Sequence, residues 1–140
     1  MRRSKIVFFA LALSLIVLLS IFLSVYIRNQ KIDQSDKEVE VLIVIDFGSL
    51  KAFDNHTEQY VNVTEVTSAL DAFALVANLT TTNYPFGAYI TGVDGYVENL
   101  PDFWGFYYYE FEIEGWMYSS VGVSHYYLQE GDRIKLQYSG

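Results

Sequence analysis

Beyond residue 28, one stretch carries a helical stripe and almost everything else alternates as β-strands do. That pattern restricts the chain to an α+β domain. In Glu65–Asn78, Val66, Leu70, Phe73, Ala74 and Ala77 recur at spacings of three and four, so the segment predicts an amphipathic helix packed on a sheet. Asn62 with Glu65, or Thr64 alone, supplies its N-cap, and Asn78 its stop. Val39–Phe47 is β-branched and ends at Gly48, the mark of a first strand, and Gln59–Val63 returns it. Ala88–Val93 is a further strand, followed by the tight-turn dipeptide Asp94-Gly95. Phe103–Glu112 and Trp116–Ser120 form a hairpin, and Arg133–Tyr138 closes the domain after the Glu130-Gly131-Asp132 turn.

The hairpin carries a sharper expectation. With Glu114-Gly115 as a two-residue turn, Ile113 faces Trp116, Phe111 faces Tyr118 and Tyr109 faces Ser120. Alternation then makes that side the buried one and leaves Glu110, Glu112, Met117 and Ser119 on a wet, acidic side.

The N-terminus has a different character. Ile6–Ile27 is 22 residues without a charge, preceded by Arg2, Arg3 and Lys5. At ~1.5 Å per residue such a helix reaches about 33 Å, enough for a ~30 Å hydrocarbon core. The run is longer than a signal-peptide core and lacks a small-x-small cleavage site, so residues 1–28 read as an uncleaved signal anchor. The positive flank places the N-terminus in the cytoplasm and the body outside the cell. Residues 29–38 are polar and read as a linker; 39–140 form the external domain.

All 17 carboxylates follow Arg28, against Lys31, Lys37, Lys51, Arg133 and Lys135, a formal charge of −12 on the external part. Such a body repels nucleic acid. The chain has no cysteine, so disulfides and thiolate metal sites are excluded and a packed core must hold the fold. Sequons begin at Asn55, Asn62 and Asn78; they are glycosylation acceptors in a host that performs the reaction, or simply Thr-rich turns and strands.

No phosphate-binding glycine loop, dinucleotide fingerprint, zinc spacing or nucleophile elbow occurs. His56 and His125 are 69 residues apart with nothing to mark either as a base. Glu110, Glu112 and Glu114 share a face if the strand runs through them, either as a weak calcium site or as a solvated strand side. The chain reads as a non-enzyme without a cofactor. Eleven of the 25 residues from Phe103 to Tyr127 are aromatic. A domain this small cannot bury them all, so Trp104, Tyr108, Trp116, Tyr118 and Tyr126 are the candidate ligand-binding residues.

Taken in order, the Asp46-Phe47-Gly48 strand end, the Val63–Ala72 helix entry, Gly87–Gly95, the Phe103-Trp104 to Tyr118 block and the Glu130-Gly131-Asp132 turn resemble the transcobalamin-like C-terminal domain family over about Val39 to Tyr138. The resemblance implies a β-grasp-like fold, a small mixed sheet carrying one helix. It also implies aromatic and backbone contacts to one face of cobalamin. The chain departs from the family pattern at Ser119–Ser124, where many members have Asn-Gly, and lacks the large helical domain of the cobalamin carriers. The expectation is a membrane-anchored, non-catalytic binding module for a small molecule, with a corrinoid-like ring among the candidates. The alternative is an accessory subunit of a membrane assembly whose aromatic patch meets a membrane-protein partner.

Overall fold

The β-branched run near residue 40 becomes the strand around which the domain is built. The computed structural model describes residues 14–26 and 37–140, and the chain divides into two units, Met1–Asp36 and Lys37–Gly140.

In the first unit, residues 14–26 are helical with exposed side chains. Among the described residues no helix is long and apolar enough to cross a membrane. The expected transmembrane helix over Ile6–Ile27 is thus not supported. The remainder of that run, and linker residues 29–36, lie outside the described residues.

In the second unit, β1 (Glu38–Asp46) pairs antiparallel with β2 (His56–Thr64) and parallel with the last strand, β8 (Arg133–Tyr138). β8 also pairs with β6 (Trp104–Glu110), and β6 with β7 (Gly115–Tyr118), giving the sheet order β2-β1-β8-β6-β7. A second sheet holds β3 (Leu79–Tyr84), β4 (Gly87–Val93) and β5 (Tyr96–Val97). The expected mixed sheet with one packed helix is present. The second sheet was not foreseen, because the Thr-rich β3 follows the helix with only Ala77 and Asn78 between them. Asp94 and Gly95 take positive φ and turn β4 into β5, as their dipeptide predicts.

The core lies on one face of the large sheet. Val41, Ile43 and Ile45 of β1, Ile134 and Leu136 of β8, and Trp104 of β6 are all buried there with Phe73 of the helix. Helix α1 spans Ala69–Val76, shorter at its start than the sequence suggests. Thr64 is still paired to Glu38 in β2, and Ala69 N–H donates to Tyr126 O at 2.7 Å, so the chain is tied to strand-like neighbours until Ser68. Ser68 then caps the helix, its Oγ accepting from Asp71 N–H at 3.2 Å and donating to Asp71 Oδ2 at 2.7 Å. Ser68→Ala is expected to lose about 1 kcal/mol through the orphaned N–H. A denaturant midpoint unchanged from wild type would refute that role.

The aromatic hairpin differs most from expectation. Tyr107 faces Tyr118 and Tyr109 faces Trp116, and residues 111–114 form the turn, with Glu114 at φ 52°. The pairing is displaced by four residues from the sequence-based one, Tyr109 meeting Trp116 instead of Ser120, and the burial is inverted. Trp104 and Phe106 point into the core, whereas Tyr107, Tyr109, Trp116 and Tyr118 lie on the opposite face. The cause is β8: its apolar Ile134 and Leu136 share the core face with Phe106 and Tyr108, while Arg133 and Lys135 share the other face with Tyr107 and Tyr109. The turn also ends the strand before Glu112, so the three glutamates do not form a row along one face.

Candidate functional site

A concave site opens where β4 of the small sheet, β6 of the large sheet and residues 119–123 meet. It is a cavity of about 300 Å³. Its floor is apolar and rigid, made by Ile90, Trp104, Phe106 and Leu136, all from strands and all buried. Its rim is exposed: Phe86, Tyr118 and Val121 reach solvent. Trp104 is fixed on three sides. Its indole N–H donates to Tyr96 O at 2.9 Å, and its ring meets Phe47 and Tyr138 edge-on at 5.4 and 5.5 Å.

Local chemistry shapes the mouth. Phe86 stacks on Tyr84 at 5.2 Å with the ring planes nearly parallel, forming a flat plate at the tip of the β3–β4 hairpin. Gly87 has φ 123°, and a Cβ there would sit 2.6 Å from Ser124 Oγ, so glycine alone lets the hairpin approach the opposite wall. Ser124 Oγ accepts from Ala88 N–H at 3.0 Å and locks that approach. Ser119 shapes the loop, its Oγ donating to Val121 O at 2.8 Å and accepting from Val121 N–H at 3.1 Å.

Tyr89 brings a polar group to the lining. Burial, and next the neighbouring Glu98 carboxylate, push its hydroxyl up to about 12. Oε2 of Glu98 is buried without a hydrogen-bond partner among the described residues. Tyr126 is also pushed up to about 12, first by burial and then by Asp132. Both phenols stay neutral in the folded state beyond the usual value near 10. Their contribution to stability is therefore complete below pH ~10 and lost as the pH rises toward ~12. In a Tyr126→Phe background, Glu98→Gln is expected to make Tyr89 ionise earlier, yet still above the usual value, because burial is the larger cause. An ultraviolet tyrosinate titration checks this, and an unmoved late phase would count against Glu98 as a cause.

The five aromatic residues expected to bind ligand do not converge. Trp104 is in the cavity floor and Tyr118 at its rim. Tyr108 stacks on Tyr126 at 6.1 Å, away from the cavity lining, and Trp116 lies on the far face of the sheet beneath Lys135. Phe86, Tyr89 and Val121 were missed; the only sequence hint to them is the Pro85–Gly87 turn that places Phe86 at a tip. Asn55, Asn62 and Asn78 are all exposed. His56 Nε2 meets Glu58 at 2.7 Å, and His125 Nδ1 meets Ser124 Oγ at 3.2 Å. Among the described residues, no three metal-ligating side chains cluster. The cavity thus offers apolar surface, flat rings and a phenol hydroxyl, a set suited to holding a flat molecule.

No family model matches the sequence, and no curated protein is significantly similar to it. Solved structures do match. Haptocorrin, in a crystal structure in complex with Cbi, is similar over 74% of this chain and 25% of its own, at 15% identity and a TM-score of 0.60. The fold is haptocorrin-like. A protein from Ruminococcus gnavus ATCC 29149, described as a candidate metal binding protein, is similar over 72% of this chain and 96% of its own, at 13% identity and a TM-score of 0.51. The chain spans about a quarter of haptocorrin's length. Identities this low establish shared architecture, consistent with the transcobalamin-like resemblance, and carry no residue roles.

Proposed function

We propose that this domain binds a flat, largely apolar small molecule, without catalysis, in the cavity between β4, β6 and residues 119–123. The observation that carries the reading is the buried apolar floor of Trp104 and Phe106 beneath the exposed Phe86 ring and Val121. Ligand cavities usually enclose about 300–1,000 Å³, and this one stands at the lower bound. It accommodates one edge of a macrocycle rather than the whole. The haptocorrin-like fold supports a corrinoid as the first ring to test.

Among the described residues, every core residue lies within 37–140, so that unit is the test protein. Corrinoid, haem, a simple glycan and calcium are added in turn, and melting temperature and tryptophan fluorescence are read. In a Trp116→Phe background, a ring ligand is expected to quench Trp104. Val121→Arg at the rim is expected to weaken binding at least tenfold, roughly 1.4 kcal/mol. A domain that folds well but responds to neither ring compound would defeat the reading.

Display outside the cell, with the N-terminus in the cytoplasm, is a further proposal resting on the charge pattern of residues 1–28 alone. Protease treatment of intact cells tests it: the domain should be digested while a cytoplasmic marker survives.

A further inference from the structure

The side of the large sheet turned away from the core is divided by charge. On β8, Arg133 and Lys135 project from this side, among the rings of β6 and β7. Lys135 Nζ lies 5.0 Å over Tyr107 and 4.8 Å over Trp116, and the Arg133 guanidinium lies 5.1 Å over both Tyr109 and Phe111. Ring faces hold these cations without neutralising them. Among the described residues, neither has a carboxylate within ion-pair distance; the ion pairs are Lys37–Glu65 and His56–Glu58. The β1–β2 half of the same side presents Glu38, Glu40 and Asp46 from β1 and Glu58, beside His56, from β2. Tyr60, Phe111 and Tyr118 are 63, 54 and 58% exposed.

We infer that this face is an isologous interface that packs against a second copy of the same chain about a two-fold axis. A two-fold operation lays the acidic half of one copy over the basic, aromatic half of the other, so one surface satisfies both halves. An anionic ligand would satisfy only the basic half and would meet the acidic half as a like charge. The size is adequate. Five strands spaced ~4.8 Å apart, each ~20 Å long, present on the order of 500 Å² in projection, which side-chain relief brings toward the ~800 Å² per partner of a standard interface. Stacked sheets at ~10 Å separation leave room for the ring–cation pairs between them.

The test uses residues 37–140 produced without N-glycans, because Asn62 lies on this face opposite Glu40. Sedimentation velocity should show a dimer that weakens with salt. Arg133→Glu with Lys135→Glu should sediment as a monomer, as should Glu40→Lys with Asp46→Lys. An equimolar mixture of the two should restore a dimer, a result that general loss of folding cannot produce. Circular dichroism confirms that each variant folds, and Tyr60→Ser, an exposed position, provides a charge-neutral variant expected to weaken the dimer at least tenfold. Wild-type protein monomeric at ~1 mM, or charge-reversed variants that dimerise unchanged, would overturn the inference. A monomeric wild type that binds heparin through Arg133 and Lys135 would overturn it in favour of an anionic glycan.

Discussion

Trp104→Ala is expected to cost about 3–5 kcal/mol of folding stability. The ring is 2% exposed and wedged edge-on between Phe47 and Tyr138, so its removal leaves a void that two rigid strands, β6 and β8, cannot collapse to fill. It also strips Tyr96 O of the 2.9 Å bond from the indole N–H, adding the penalty of a poorly satisfied carbonyl. Domains of about 100 residues shift in melting temperature by roughly 4–8 °C per kcal/mol, so a fall of about 12–40 °C should follow. Trp104→Phe keeps most of the packing and loses the hydrogen bond, and should fall in between. The same position tests function, because the indole is in the cavity floor and its loss should abolish ring-ligand binding at temperatures where the variant is still folded. A melting point within ~5 °C of wild type would show that the ring is not the keystone described.

Phe73→Ala should be comparable, about 3–5 kcal/mol. Phe73 is fully buried and meets Phe106 edge-on at 6.0 Å, and the other buried residues of α1 are Ala69 and Ala72. Those alanines are too small to shift into the space, so the helix would lose its one large fully buried side chain and keep only the partly buried Leu70 and Val76 against the core. Phe73→Leu retains most of the volume and should cost less than about 1.5 kcal/mol. Urea unfolding measures both. Hydrogen exchange should show α1 exchanging earlier than β1 in the alanine variant, since a helix of eight residues is not stable without its tertiary contact. Equal protection of α1 and β1 would argue that the helix is held by something other than this ring.

Much of the fold was legible in short-range pattern. β8 was read with its observed bounds, and β1, β4 and the Asp94-Gly95 turn came within a residue or two, because period-two alternation and positive-φ turn residues act locally. The start of α1 was displaced because long-range bonds, from Ala69 N–H to Tyr126 O and from Leu128 N–H to Thr67 O, hold residues 67 and 68 outside the helix. The cavity was legible in two residues, Trp104 and Tyr118, and hidden in Phe86, Tyr89 and Val121, which reach it only once two sheets and a loop converge.

Local pattern dictated that one helix and several strands would bury an apolar core without disulfides, since composition and alternation set what each segment must cover. Tertiary structure alone decided which side of the aromatic hairpin is that core. Alternation splits Trp104, Phe106 and Tyr108 from Tyr107, Tyr109 and Trp116, but both sets are apolar and either could be buried. The choice falls to β8, whose isoleucine and leucine occupy one side and whose arginine and lysine occupy the other. Charged groups keep their heads in water at far less cost than rings, and so they dictate which rings face out.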